Sequence, residues 1–331
     1  MPVTSSDLEN LGKSSLDDYL RNTAVDQIST DTPLLKKLME KKKKLVGAKQ
    51  NVTVNIRKSL DSNFAWAYGE APVSFNKRNT LEHAAFPWRR AVDGFYIAHD
   101  TLFANGIRVK EGQSGQHKLE ENERVQLCNL LDEQTQAFRT GFMEKLSMEL
   151  HRDDTANADA ITGLDALVSL TPATGVVGGI DRSTATYWRN NVKTAIASTT
   201  AGTLATAMEG EWRKCIRNGG SPDFILAGSA FIDAYRQYGV TVTNNANAGS
   251  IKRVDAGIGS GTSTGLFFKG VEIIWDPQFE TLDAIESPTI PWEKRCYFMN
   301  TKFIELHDDS IDIVSPDRPY NILALYQMVN L

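Results

Sequence analysis

The chain has 331 residues, 41% of them hydrophobic and 23% charged, with 36 basic and 41 acidic side chains and a net charge of −5. This balance excludes disorder along the whole length, and the acidic excess excludes a protein that coats nucleic acid with its entire surface. Three widely spaced cysteines, Cys128, Cys215 and Cys296, exclude a disulfide framework and a four-cysteine zinc site and fit a reducing cytoplasm. The length suggests about two domains or one elaborate one. No apolar run is long enough for a transmembrane helix. The start Met1-Pro2-Val3-Thr4-Ser5-Ser6 is not expected to act as a secretory signal, because it lacks a charged start and an apolar core.

Residues 1–32 are polar with isolated leucines, and read as an arm that orders against a neighbour. Residues 33–58 then hold nine basic side chains and one acid, a net +8 that leaves −13 for the rest. Leu34, Leu35, Leu38, Met39 and Leu45 fall at helical spacing after the start signal Thr32-Pro33. Lys36, Lys37, Lys41, Lys42, Lys43 and Lys44 therefore have two readings. One is a solvated helix face; the other is a patch for sequence-blind attraction to a polyanion. No helix-turn-helix, zinc-finger spacing or aromatic-interleaved basic stripe points to base readout.

From Asn51 the period becomes two. Val52, Val54 and Ile56 predict one strand, and Phe64, Trp66 and Tyr68 alternating with Ala65 and Ala67 predict another. Apolar residues return at Phe86, Trp88, Val92 and Phe95. The picture is a β-ribbon running out and back, with a charged tip near Ser74–Thr80. Such a ribbon is marginal in water without a partner surface.

Residues 118–151 give the clearest helix. Leu127, Leu131, Phe138, Phe142, Leu146 and Leu150 share a face, with acids in the first turns and His151 and Arg152 at the end. Its span of about 50 Å exceeds the ~20 Å radius of gyration of a globule of this length, which predicts a plate. Farther on, 183–217 reads as helical, Asp223–Gly228 as a buried strand, and Ser229–Tyr238 as a helix capped by Ser229 and stopped by Gly239. Residues 244–265 read as a loop. Leu266–Phe268, Val271–Trp275, Tyr297–Met299, Phe303–Leu306 and Ile322–Val329 close the list of apolar strand-like segments.

No catalytic, cofactor or metal set stands out. Gly257, Gly259 and Gly261 match a dinucleotide loop only in glycine count, since position 262 is Thr and no helix follows. His151-Arg152-Asp153-Asp154 and His307-Asp308-Asp309 are sequential neighbours that point in different directions. His83, His99 and His117 lack partners at ligand spacing, and Cys128 reads as core. The six tryptophans read as packing or interface anchors.

The order of elements resembles the major capsid protein of tailed bacteriophages, an α+β, Hong Kong 97-like capsid fold. Five strings carry the resemblance: Trp66-Ala67-Tyr68-Gly69-Glu70 before Pro72; Ile161-Thr162-Gly163-Leu164 onward to Val168; Pro222-Asp223-Phe224-Ile225-Leu226 through Tyr235; Phe268-Lys269-Gly270-Val271-Glu272-Ile273 with Asp276; and Tyr297–Asn300 with Phe303–Leu306. The resemblance implies an N-terminal arm at 1–49, an extended β-ribbon loop at 50–112, and a spine helix of the peripheral domain at 113–160. It implies an axial domain at 161–285 and returning peripheral strands at 286–331.

It also implies a non-enzymatic subunit that self-assembles as pentamers and hexamers into an icosahedral shell around phage double-stranded DNA. Such a subunit is assembled in the host bacterial cytoplasm and resident in the virion capsid. Implied partners are other copies of the chain, a separate scaffolding protein, a portal, a cement protein and the packaged DNA, with no cofactor and no membrane. Lys36, Lys37 and Lys41 to Lys44 become a genome-facing or inter-subunit patch. Trp66, Tyr68, Lys77 and Arg78 become ribbon contacts between subunits. Some family members begin with a long cleavable scaffolding segment, whereas only about 50 residues precede the ribbon here; this is why the scaffold is expected to be a separate protein, or the arm to be already mature. Crosslinking through Lys77 is not expected. The alternatives are a cellular nanocompartment shell of the same fold and, from another class, an α/β nucleotide-binding enzyme using the Gly257 loop.

Overall fold

The computed structural model describes residues 31–44, 51–69, 75, 77–95, 121–155, 157, 159–196, 203–217, 220–244, 262–314 and 323–330. The arm residues 1–30 and the Gly257 loop lie outside the described residues. The described parts of Arg90–Met148 and Ser310–Met328 form one compact unit, and those of Pro33–Arg89 and Glu149–Asp309 form a second.

The elements follow in chain order. Helix α1 (Pro33–Glu40) leads into the short strand β1 (Lys43–Lys44). Strands β2 (Asn51–Arg57), β3 (Leu81–Pro87) and β4 (Arg89–Phe95) precede the long helix α2 (Glu121–His151). A short helix α3 (Leu164–Leu167), a hairpin of β5 (Val176–Val177) and β6 (Ile180–Asp181), and a 3₁₀ turn (Thr186–Trp188) follow. Then come α4 (Thr203–Arg217), β7 (Phe224–Ala227), α5 (Ser229–Asn244), β8 (Ser263–Phe268) and β9 (Val271–Trp275). The chain closes with α6 (Gln278–Ile285), a second 3₁₀ turn (Trp292–Lys294), β10 (Cys296–Met299), β11 (His307–Val314) and β12 (Leu323–Asn330).

In the first unit, β11, β12 and β4 lie side by side, and α2 is continuous through Gly141. The predicted long helix is present, and Phe142, Leu146 and Leu150 of its predicted face are buried. The side chains of α2 before residue 132, including Cys128 and Leu127, lie outside the description.

The second unit is built on a mixed sheet ordered β10-β7-β9-β8. All four residues of β7 are buried. Its hydrogen bonds run antiparallel to β10 and parallel to β9, so a continuous apolar run is what its position requires. Lys269 (φ +52°) and Gly270 (φ +86°) turn β8 into β9; two successive left-handed residues match the twist of a tight hairpin. Leu204, Met208 and Trp212 recur every fourth residue on α4 and meet Phe231, Ile232 and Tyr235 of α5 over this sheet. Trp212 packs edge-on against Phe268 and Phe298. Strand β10, which sequence assigned to the segment 286–331, is an edge strand of this sheet.

Four expectations are corrected. Residues 183–217 are not one helix: 183–196 form a turn and an extended stretch, because Arg189 donates to the carbonyls of Arg182 (2.7 Å) and Ser183 (2.7 Å), and Asn190 donates to Ser169 O (2.9 Å). These side chains bind the stretch to the preceding turn and to Ser169 instead of leaving it free to coil. Helix α5 is not stopped by Gly239 but runs on to Asn244, and its first turn closes on Gly228 O (3.1 Å). Of the predicted 244–265 loop, Asn244 ends α5 and Ser263–Gly265 belong to β8; residues 245–261 lie outside the description. Phe303–Leu306 is not a strand; the ladder begins at His307.

Two glycines mark close backbone approaches. A Cβ on Gly163 would stand closer than 3.0 Å to the carbonyl oxygens of Glu149, Leu150 and Arg152 at the end of α2. A Cβ on Gly228 would meet the Glu293 backbone as closely, and Gly228 N donates to Arg295 O (3.0 Å). Neither backbone can yield as a flexible side chain would. Gly163→Ala and Gly228→Ala are each expected to cost about 1–3 kcal/mol. Calorimetry should show a clear fall in Tm for both, and none for Gly210→Ala, where a Cβ meets open space.

Candidate assembly surfaces

Strand β2 pairs with β3 in antiparallel register from Asn51↔Pro87 to Arg57↔Leu81. The ribbon is therefore real, but its return strand starts at Leu81. Lys58 N still donates to Thr80 O (2.9 Å), and Asp61 accepts from Asn79 N (3.1 Å). The predicted second strand at Phe64–Tyr68 does not form. Alternation of aromatics with alanine mimics a strand, yet a strand needs a partner for its backbone groups, and none of the described residues pairs with it.

The result is an irregular tip crowded with uncovered rings. Phe64 is 75% exposed, Trp66 92%, Tyr68 99% and Phe75 91%. Phe64 and Trp66 touch edge-to-face at 5.3 Å. Lys77 and Arg78, farther along the same connection, are also exposed. Clustered exposed aromatics of this kind mark interaction surfaces.

The base of the ribbon is held firmly. Ala84 and Phe86 of β3 pack with Val177, Ile180 and Ala185, flanked by Ile56, Leu167 and Trp188. Ala85 N donates to Gly178 O (2.9 Å), and Trp188 Nε1 donates to Val177 O (2.9 Å). Buried Arg182 ties this hairpin to Ala166 O (3.1 Å) and Leu167 O (2.6 Å). Tyr187 donates to Glu82, and that bond, ahead of the Lys58 charge, holds the Glu82 carboxyl below its ordinary range. Sequence reading missed this dock. Its only trace is the glycine-rich string 175–179, which gives the hairpin its turn.

The basic segment is more occupied than its charge count suggests. Helix α1 buries Leu34, Leu35 and Leu38 at 2–4% exposure, so the predicted helical face is real. Lys36 is exposed and Lys37 pairs with Glu40 at 3.1 Å. Lys41 bonds Thr301 and reaches Asp223 at 3.4 Å, and Lys43 reaches Glu305 at 2.6 Å. Lys42 is exposed, and the Lys44 side chain lies outside the description. Burial pushes Asp223 up, but the bonds from Thr301 and Lys41 outweigh it and its carboxyl sits below the ordinary value.

Among the described residues, no three His, Cys, Asp or Glu side chains gather where a metal ion could sit, and no helix is long and apolar enough to cross a membrane. His151 is fully buried and bonded to Asp276 at 2.9 Å, a structural pair. A cavity of about 390 Å³ is lined by Leu204, Met208, Phe231, Cys215, Glu211 and Phe298, among others. One Glu211 oxygen there has no hydrogen-bond partner, and burial raises the Cys215 thiol. Burial and the Glu211 charge both hold that thiol in its protonated, weakly nucleophilic form.

No family model matches the chain, and no curated protein matches it. Solved structures do. The chain covers 93% of its own length and 91% of a chain in the cyanophage A-1(L) capsid asymmetric unit, with TM-score 0.65 and 15% identity. Against a structure from Mycobacterium phage Ogopogo it covers 93% and 91%, with TM-score 0.53 and 9% identity. The shared fold is the α+β, Hong Kong 97-like capsid fold.

Gly178 sits at φ +60° with its Cα facing Phe86, so Gly178→Val is expected to undock the ribbon. Hydrogen exchange of 51–57 and 81–87 should then accelerate at least tenfold, or about 1.4 kcal/mol, while β7 stays protected.

Proposed function

We propose that the chain is the major capsid subunit of a tailed phage, a structural protein whose ribbon tip is completed by a neighbouring copy. The observation that carries this is the tip itself: a firmly docked ribbon presenting Phe64, Trp66 and Tyr68 almost wholly to solvent. A single chain gains nothing from holding aromatics out on a rigid stem, whereas an oligomer buries about 150–250 Å² with each. Its fold is that of the cyanophage capsid structure, which supports the same reading.

Within this proposal the subunits gather as pentamers and hexamers into a shell around double-stranded DNA. The chain divides into arm (1–49), ribbon (50–112), spine (113–160), axial (161–285) and peripheral (286–331) segments, with Cys296–Met299 seated in the axial sheet. Scaffold, portal and cement proteins are partners of the shell. Trp66, Tyr68, Lys77 and Arg78 form the inter-subunit ribbon contact. Lys36, Lys37 and Lys41 to Lys44 form the inner basic patch, with Lys41 and Lys43 partly neutralised by Asp223 and Glu305. A nanocompartment shell is the second reading, and the net +8 of residues 33–58 favours DNA over protein cargo.

Expression of the chain with and without a candidate scaffold should give closed particles by light scattering and negative-stain microscopy; a stable 36.6 kDa monomer in both cases would sink the proposal. Trp66→Ala with Tyr68→Ala should abolish particles, each truncation costing about 2 kcal/mol or more at the contact. Circular dichroism and Tm of the monomer should be unchanged, because both rings touch solvent. Replacing Lys41–Lys44 with Gln should lower DNA retention in particles that still assemble; loss of assembly instead would assign these lysines to subunit contacts.

A further inference from the structure

Segment 33–44 is held to the body in two chemically different ways. Helix α1 is seated by three leucines that are 2–4% exposed, an apolar contribution that no proton alters. Beyond Glu40 the hold is polar and short. Strand β1 has two residues, paired in parallel with His307 and Asp308 at the start of β11, and Lys43 N donates to Leu306 O (3.0 Å). Its side-chain support is the Lys43–Glu305 pair and, just before it, Lys41 with Thr301 and Asp223. Both lysines are about half exposed, so these pairs are weak and easily unbalanced.

One titratable ring stands beside this join. His307, the register partner of Lys43, is 12% exposed, its Nε2 lies 3.8 Å from Glu305, and its Nδ1 is buried with no hydrogen-bond partner. Glu305 thus faces Lys43 on one side and the imidazole on the other. A proton on His307 would place a second cation on the same carboxylate, next to Lys43, and bury an unpartnered charged N–H.

We propose that segment 33–44 is a two-part strap, with α1 as its fixed anchor and β1 as a latch that acid opens through the Lys43–Glu305–His307 cluster. The charged groups acting on His307 are Glu305 from its own segment and Lys43 from β1. Burial lowers its affinity for a proton, Glu305 raises it, Lys43 lowers it again, and the balance is a depressed value. Opening takes the Lys43 charge away from the ring, so the closed latch binds a proton less readily than the open one. Closure is fully favoured above the ordinary histidine value of 6.5 and is lost as pH falls through and below it. Asp223, also depressed, adds a second loss only below the ordinary aspartate value of 3.8. The latch would open first, with Lys41 still paired. This inference concerns one chain and holds whether or not the chain builds a shell.

The test is hydrogen exchange of the full-length, unassembled chain at constant ionic strength, with each rate referred to the unstructured-peptide rate at the same pH. Protection of the Lys43 amide, which donates to Leu306 O, should fall about threefold or more between pH 7.5 and 5.5, while 33–42, whose last amides bond back into α1, and β7 stay protected. In His307→Gln the protection of Lys43 should be flat across this range. In Lys43→Gln, which leaves the ring in place and removes the repulsion, the fall should shrink. Constant protection in the wild-type chain, or an undiminished fall in either variant, would overturn the proposal.

Discussion

Asp276 is the constraint on which the second unit depends. It follows β9 directly, is fully buried, and spends every polar group it has. Its N–H donates to Ala227 O at the end of β7 (3.3 Å), one carboxylate oxygen accepts from Gln278 N at the start of α6 (3.0 Å), and the other takes His151 Nε2 at the end of α2 (2.9 Å). Sheet, cap and helix end are tied at one residue. Phe279 stacks edge-on against His151 and lies beside Trp292 and Tyr297, so the polar knot is sealed in apolar surroundings where losing one partner leaves the others unsatisfied. Arg295 extends the seal. It stacks over Trp292 at 3.9 Å and bonds Asp165 (2.8 Å), whose carboxyl burial pushes up despite that guanidinium.

From this fixed body the ribbon projects on a stem that is itself fixed. The β5–β6 hairpin is a small element, yet it supplies the backbone acceptor for Ala85 and the apolar floor for Phe86. Rigidity at the base and exposure at the tip belong together. A contact presented on an ordered stem loses less entropy on association than one on a loose loop.

The basic segment shows how a charge run changes meaning in three dimensions. Its lysines meet acids that sit 182 and 262 residues away in the chain. A net +8 in sequence becomes a strap whose cations are partly answered by the body's own carboxylates, which leaves a smaller field to act on any polyanion. The apolar half of the strap and its ionic half respond to different solution variables, and so they can act separately.

Sequence by itself determined the long helix, the apolar strands β7 and β9, the β8–β9 turn, the ribbon's first strand, and the order of elements, since each is written in local periodicity or turn chemistry. It singled out Trp66, Tyr68, Lys77 and Arg78 as contact residues, and all four are exposed, but it placed the tip at Ser74–Thr80 and gave Trp66 and Tyr68 a strand they do not have. It could not place Cys296–Met299 in the sheet of β7, stop the false helix at 183–196, or see the partners of Lys41, Lys43 and His151. Those outcomes turn on which distant backbone or carboxylate arrives at a given spot. Periodicity reports which face of an element is apolar; only the tertiary structure decides what covers that face, and which charges are left to meet.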